Sequence, residues 1–222
     1  MDTEEKQYKY EKALEYEIFI NGEYDFSKDK IKDAKCIFDI WWHIWLFSKR
    51  CRTLNKNTKI HYFEPVKDFC DKAKLILWND NNIILNNLWI SSKTESWELL
   101  LNQEKTMQSS KYKSFLNPKW SKIVVNFISL KDYVERNDID KIDVLKMDIE
   151  WMEFEVFESL SDSERKIIEN LIVEVHILND EMKLKWDQIF IKLNNIFWQV
   201  EIIKSRYSDD TFLLWCCMES WF

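Results

Sequence analysis

The chain has 222 residues, a net charge of -7, 12 tryptophans and a single glycine, Gly22. Its length fits one domain large enough to bury a core, and no apolar run reaches the roughly 18 residues of a membrane span. The negative charge is spread along the chain without the basic stripe that phosphate-backbone binding requires, so nucleic acid is not an expected partner. The first dozen residues, M-D-T-E-E-K-Q-Y-K-Y-E-K, lack the apolar segment of a secretory signal, and a cytoplasmic location is expected. Cys36, Cys51, Cys70, Cys216 and Cys217 are odd in number and show no C-x-x-C spacing. They are expected to be free thiols.

Residues 4 to 16 are charged and helix-capable, and residues 1–35 are expected to form an N-terminal helical extension to a domain over 36–222. Cys36 to Ile40 reads as a buried strand, followed by a helix over 44 to 54. I-H-Y-F-E-P is a strand ending in Glu64 and stopped by Pro65, Val66 to Leu77 has helical spacing, and 82 to 88 is again a strand. E-L-L-L and K-I-V-V-N-F look like a strand pair inserted in the alternation. A helix over 129 to 137 leads to strand 142 to 148, to the amphipathic stretch M-E-F-E-V-F-E-S-L and to strand 171 to 176. In that stretch Glu153, Glu155 and Glu158 read as a solvated face. After a helix over 180 to 196, V-E-I-I-K and T-F-L-L-W-C-C-M are joined by a loop too short for a helix and should pair antiparallel. The pattern predicts an α/β fold, a doubly wound Rossmann-like sheet of about seven strands, mostly parallel with an antiparallel terminal strand.

Glycine usage of about 7% would put roughly 15 glycines in such a chain. The tryptophans stand where turns need them: Trp78 between a helix and a strand, Trp97 and Trp120 beside predicted turns, Trp151 directly after a strand, Trp198 between the last helix and the next strand. Trp186 alone has the setting of a core indole. We therefore read most of these tryptophans as glycines in the organism, written here as tryptophan because a reassigned UGA codon was translated with the wrong table. UGG codons in the gene would refute this.

With Trp41, Trp42 and Trp45 read as glycine, residues 37 to 48 become a strand, D-I-G-G-H-I-G, and a helix. Asp39, Trp41, Trp42, His43 and Trp45 are then candidates for a cofactor loop at a helix N-terminus. Glu64, ending the next strand, is placed to accept hydrogen bonds from ribose hydroxyls, as acids also do in NAD enzymes. Asn87 ends the strand after that and joins the same candidate site. Asp148 and Glu150 leave the strand over 142 to 148 at its carboxyl end, and Glu174 and His176 leave the neighbouring strand at the same edge. Asp148 and His176 are the candidate bases, with Glu150 and Glu174 supporting them. A helix-capping role for Glu150 and a structural imidazole for His176 are the alternatives. His61 reads as structural. No metal is assigned.

D-x-G-x-x-x-G over 39 to 45, in the glycine reading, resembles the first motif of S-adenosylmethionine-dependent methyltransferases. The stretch S-L-K-D-Y-V-E-R-N-D-I-D-K-I-D-V-L-K-M-D-I-E-W-M-E-F-E-V, residues 129 to 156, is similar to the signature of the FkbM-type methyltransferase family, L-K-x-D-x-E-G-x-E, with Trp151 at the family's glycine. The resemblance runs over about residues 36 to 205. It implies a class I methyltransferase sheet and S-adenosylmethionine as cofactor. It further implies methyl transfer to an acceptor oxygen, a hydroxyl of a sugar, glycan or secondary metabolite, with a small molecule or glycan as partner. Two other readings remain: a nucleotide-binding oxidoreductase, and a non-catalytic Rossmann-like protein if the tryptophans are real.

Overall fold

The computed structural model describes residues 3–41, 45–77, 79–102, 109–110, 120–149, 153–177, 179–204 and 211–218. The chain opens with α1 (Thr3–Phe19) and α2 (Lys28–Asp33), then β1 (Cys36–Trp41), α3 (Leu46–Leu54), β2 (Lys59–Phe63), α4 (Lys67–Leu77) and β3 (Ile83–Asn86). Next come β4 (Trp89–Ser91), β5 (Glu95–Asn102), β6 (Ser109–Ser110), β7 (Trp120–Ser129) and α5 (Leu130–Arg136). The last third holds β8 (Val144–Asp148), α6 (Glu153–Ser159), α7 (Asp162–Lys166), β9 (Asn170–His176), α8 (Asp180–Asn194), β10 (Gln199–Lys204) and β11 (Thr211–Cys217).

Two sheets form. The larger has seven strands in the order β10-β11-β9-β8-β1-β2-β3. Its strands run parallel except β11, which is antiparallel to both β9 and β10. The continuous apolar runs of β1 and β8 suit central strands covered on both faces. The second sheet, β4-β7-β5-β6, is the inserted strand pair enlarged by two short strands, with β5 and β7 antiparallel from Glu95↔Phe127 to Asn102↔Trp120. The run over 82 to 88, expected as one strand, gives β3 only, and β4 begins at Trp89 in the other sheet. Helix α2 lies within the expected helical extension, and α7 was not expected. They are short and held by tertiary contacts or by a capping box, here Ser161 with Glu164. No helix among the described residues is long and apolar enough to cross a membrane.

Side-chain alternation assigns the faces. Lys146 and Asp148 of β8 share one face with Asp39 of β1, the register partner of Lys146, and with Glu174 two residues beyond Ile172 of β9. This face is covered by the segment after α1, where Tyr24 packs edge-on against Phe47 at 5.1 Å and Phe26 meets Trp215 at 5.8 Å. Ile18, Tyr24 and Ile31 are core residues. The other face carries α5, α6 and α8. There Trp186 is buried against Phe154 at 4.8 Å, Phe157 and Phe212, which is the core setting read for it. His61 lies on this face, and its Nδ1 is 2.7 Å from the Tyr133 hydroxyl, which itself donates to Asn86 at 3.0 Å. Nδ1 is therefore the donor, and burial lowers the His61 pKa to about 4. The structural role read for His61 stands.

The tryptophans divide. Trp89 is buried and stacked on Phe127 at 6.0 Å, whereas Trp198 is 73% exposed in the bend between α8 and β10. Trp97 lies inside β5, not beside a turn as expected, because the strand pair extends further toward its N-terminus than the apolar run E-L-L-L. Positive φ among the described residues belongs to Gly22 (65°) and Asp138 (50°), and to no tryptophan. The lone glycine stands where it is needed: a Cβ there would meet the Asp25 carboxylate at 2.7 Å. Trp42, Trp78 and Trp151 lie outside the described residues.

Candidate active site

The sheet reverses its strand order between β1 and β8, since β1 leads outward to β2 and β3 while β8 leads the other way to β9. The carboxyl edge at such a reversal is where doubly wound folds leave a crevice. Trp41, the last residue of β1, is in register there with Asp148, the last of β8. Five of the sequence-predicted residues, Asp39, Trp41, Glu64, Asp148 and Glu174, are on the described parts of this edge. Trp42, His43 and Glu150 fall outside the described residues, and His176 is placed by its backbone alone, opposite Thr211 of β11.

Asp39 is fully buried. Its Oδ2 accepts from the Ser48 N–H at 3.0 Å and from the Ser48 hydroxyl at 2.5 Å. Ser48 is in the first turn of α3, whose preceding residue, Trp45, has φ -68° and no capping hydrogen bond. An indole cannot cap a helix, so the carboxylate of β1 does it from the strand. Asp39 Oδ1, equally buried, finds no hydrogen-bond partner among the described residues. Burial raises the Asp39 pKa to about 6, against the opposing pull of Lys146 and the Ser48 hydrogen bonds.

Glu64 follows β2 and is also fully buried, with Oε1 accepting from the Val66 N–H at 2.7 Å. Asn87 braces this turn, donating from Nδ2 to the carbonyls of Glu64 and Pro65, both at 2.9 Å. The sequence reading put Asn87 at the cofactor; what the described contacts show is a brace that sets the position of Glu64.

The residue missed from the sequence is Lys146. It is fully buried in mid-strand, its Nζ 3.1 Å from Asp148 Oδ2 and 6.0 Å from the centre of the Tyr24 ring. The signal was present: a lysine inside the otherwise apolar run V-L-K-M can only be buried, and a buried ammonium needs a carboxylate. Glu174 shares this face from β9, and burial, then the Asp148 charge, push its pKa well above the ordinary range. Glu153 corrects a further expectation. It is fully buried instead of solvated, because it turns back from the first turn of α6 to accept from the Ile149 N–H at 3.2 Å. Glu158 is exposed as expected.

A model of the methyltransferase FkbM domain matches residues 40–197 of the sequence. The chain belongs to the FkbM methyltransferase family. No curated protein sequence matches it. This FkbM-family chain resembles solved structures in fold, at low identity. A putative rRNA-methylase from Clostridium thermocellum gives a TM-score of 0.53 at 8% identity, covering 90% of this chain and 96% of that one. A putative methyltransferase from Streptococcus mutans in complex with SAH gives 0.50 at 10%, covering 86% and 94%. An rRNA methylase from Streptococcus thermophilus gives 0.50 at 11%, covering 87% and 95%. The expectation of a class I methyltransferase sheet therefore stands, and with the family comes S-adenosylmethionine as methyl donor. The residues present fit that group. Asp39 Oδ1 is a buried acceptor without a partner among the described residues, and Glu64 is an acceptor-only carboxylate, while the ribose hydroxyls and ammonium of the cofactor are donors.

The raised Asp39 pKa makes a stability prediction for the FkbM-family fold. An unfolded aspartate titrates near 3.9, below the folded value of about 6, so the folded state binds the proton more tightly. The contribution is fully present below about pH 4 and is lost as pH rises through about 6, a loss of about 2 to 3 kcal/mol by linkage. Urea unfolding of wild type and Asp39→Asn between pH 4 and 7 should therefore show the variant gaining on wild type as pH rises. A constant difference would refute the assignment.

Proposed function

We propose that the chain is an S-adenosylmethionine-dependent O-methyltransferase whose acceptor is a hydroxyl on a sugar, glycan or secondary metabolite. The observation that carries this reading is the gathering of Asp39, Glu64, Asp148 and Glu174 at one carboxyl edge, where the sheet reverses between β1 and β8. S-adenosylmethionine, when bound, supplies a methyl group on a sulfonium sulfur. Glu64, held by Val66 and braced by Asn87, would accept from the ribose hydroxyls, and the loop over 41 to 45 would receive the methionine end. Asp148 would take the acceptor's proton, with His176 as the alternative base and Glu150 and Glu174 in support. Holding the acceptor oxygen in line with the methyl carbon provides much of the rate in such a transfer.

The net charge of -7 supports a small molecule or glycan over a polyanionic acceptor. Calorimetry with S-adenosylmethionine, and separately with NADH, on the protein with Trp41, Trp42, Trp45 and Trp151 changed to glycine tests the reading. Binding of S-adenosylmethionine alone is the expected result. NADH binding in its place would favour an oxidoreductase, and binding of neither a non-catalytic protein.

A further inference from the structure

A closed ring of hydrogen bonds joins α5 to the ends of β2 and β3. His61 Nδ1 lies 2.7 Å from the Tyr133 hydroxyl, which donates to Asn86 Oδ1 at 3.0 Å, and Asn86 Nδ2 returns to β2 by donating to the Tyr62 carbonyl at 3.2 Å. Every direction in the ring is fixed. The carbonyls of Tyr62 and Ile84, both 3.2 Å from Asn86 Nδ2, are acceptors only, so the amide nitrogen must face them and Oδ1 must face Tyr133. The phenol proton is thereby committed to Asn86, and the imidazole must supply its own from Nδ1. Burial supports this neutral form, lowering the His61 pKa to about 4 and pushing Tyr133 up to about 12.

The ring ends at the candidate cofactor acid. Asn86 is the last residue of β3, and its carbonyl accepts from the Glu64 N–H at 3.0 Å. Asn87, the next residue, holds the Glu64 carbonyl at 2.9 Å. The backbone on both sides of the Glu64 side chain is therefore hung on the end of β3, and Tyr133 fixes that end from a helix. Tyr133 is itself held firmly, 2% exposed and packed edge-on against Phe38 at 5.5 Å and Phe63 at 4.7 Å.

We propose that Tyr133 is a positioning residue for Glu64: through Asn86, its hydroxyl sets the turn after β2 so that the carboxylate meets the ribose hydroxyls of the cofactor. The inference rests on the S-adenosylmethionine reading for the ligand of Glu64. His61 anchors the ring from within β2, three residues before the acid it helps to place.

Two measurements test this. Nitrogen NMR of isotopically labelled histidine, without cofactor, should find His61 protonated at Nδ1 and bare at Nε2 at pH 7, with the signal assigned by its loss in His61→Gln. In protein with Trp41, Trp42, Trp45 and Trp151 changed to glycine, Tyr133→Phe should weaken binding of S-adenosylhomocysteine about tenfold, the worth of one misplaced charge-assisted hydrogen bond. The same change should leave the dideoxyribose analogue, which lacks both hydroxyls, unmoved, whereas a merely structural loss would weaken both ligands alike. Asn86→Ala cuts the same link and should give the same split, so it decides the matter if Tyr133→Phe does not fold. Equal losses for the two ligands, or His61 protonated at Nε2 in wild type, would overturn the inference and leave the methyltransferase reading intact. If the glycine protein with Tyr133 in place binds no S-adenosylmethionine, that reading falls and the positioning role falls with it, whatever the tautomer.

Discussion

Changing Trp41, Trp42, Trp45 and Trp151 together to glycine is expected to turn a chain that gives no heat with S-adenosylmethionine into one that binds it with micromolar affinity, about -8 kcal/mol. Each indole brings roughly 150 to 250 Å² of surface, and three of them fall in the five-residue loop where the motif brings backbone against the cofactor. Trp45 shows what glycine would supply there. Its φ of -68° is open to any residue, so the benefit is the missing side chain and not an unusual backbone angle. Trp89 and Trp186 are left out of the variant. Both are buried against aromatic rings, and emptying either space would cost about 3 to 5 kcal/mol, enough to confuse loss of fold with loss of binding. Equal binding by both proteins would show that the indoles do not obstruct the site. No binding by either would remove the cofactor assignment.

In that glycine variant, Asp148→Asn is expected to keep S-adenosylmethionine affinity within a few-fold and to lower methyl transfer by about 10² to 10⁴, the usual worth of a positioned base. Losing one partner of a buried ion pair ordinarily costs about 3 to 5 kcal/mol. Thermal melts at pH 7 check the fold, and transfer of a labelled methyl to a panel of hydroxylated acceptors checks the chemistry. His176→Ala, measured beside it, separates the two candidate bases. If both variants keep full activity, neither residue is the base.

What could be read from residues alone was whatever depends on period and punctuation. Alternating apolar runs and helical spacings gave the doubly wound order, and the too-short link between the last two strands gave their antiparallel pairing. The acids at strand ends marked the carboxyl edge, since a buried strand ending in Asp or Glu announces where apolar covering stops. Pairing across elements was beyond such a reading. Glu153 looks solvated on a helical wheel, yet it is buried, with its carboxylate accepting from the Ile149 N–H just past β8. Asn87 looks like a ligand group, and its amide nitrogen also donates to the backbone of the neighbouring turn. Above all, the partnership of Lys146 with Asp148, and of both with Asp39 and Glu174, comes from register: residues more than a hundred positions apart share one face because β1 and β8 lie side by side. The sequence by itself determined the family, the order of the sheet and the edge that carries the chemistry. Only the tertiary structure decided which charges on that edge share one face, because strand register, not residue type, sets which side chains lie side by side.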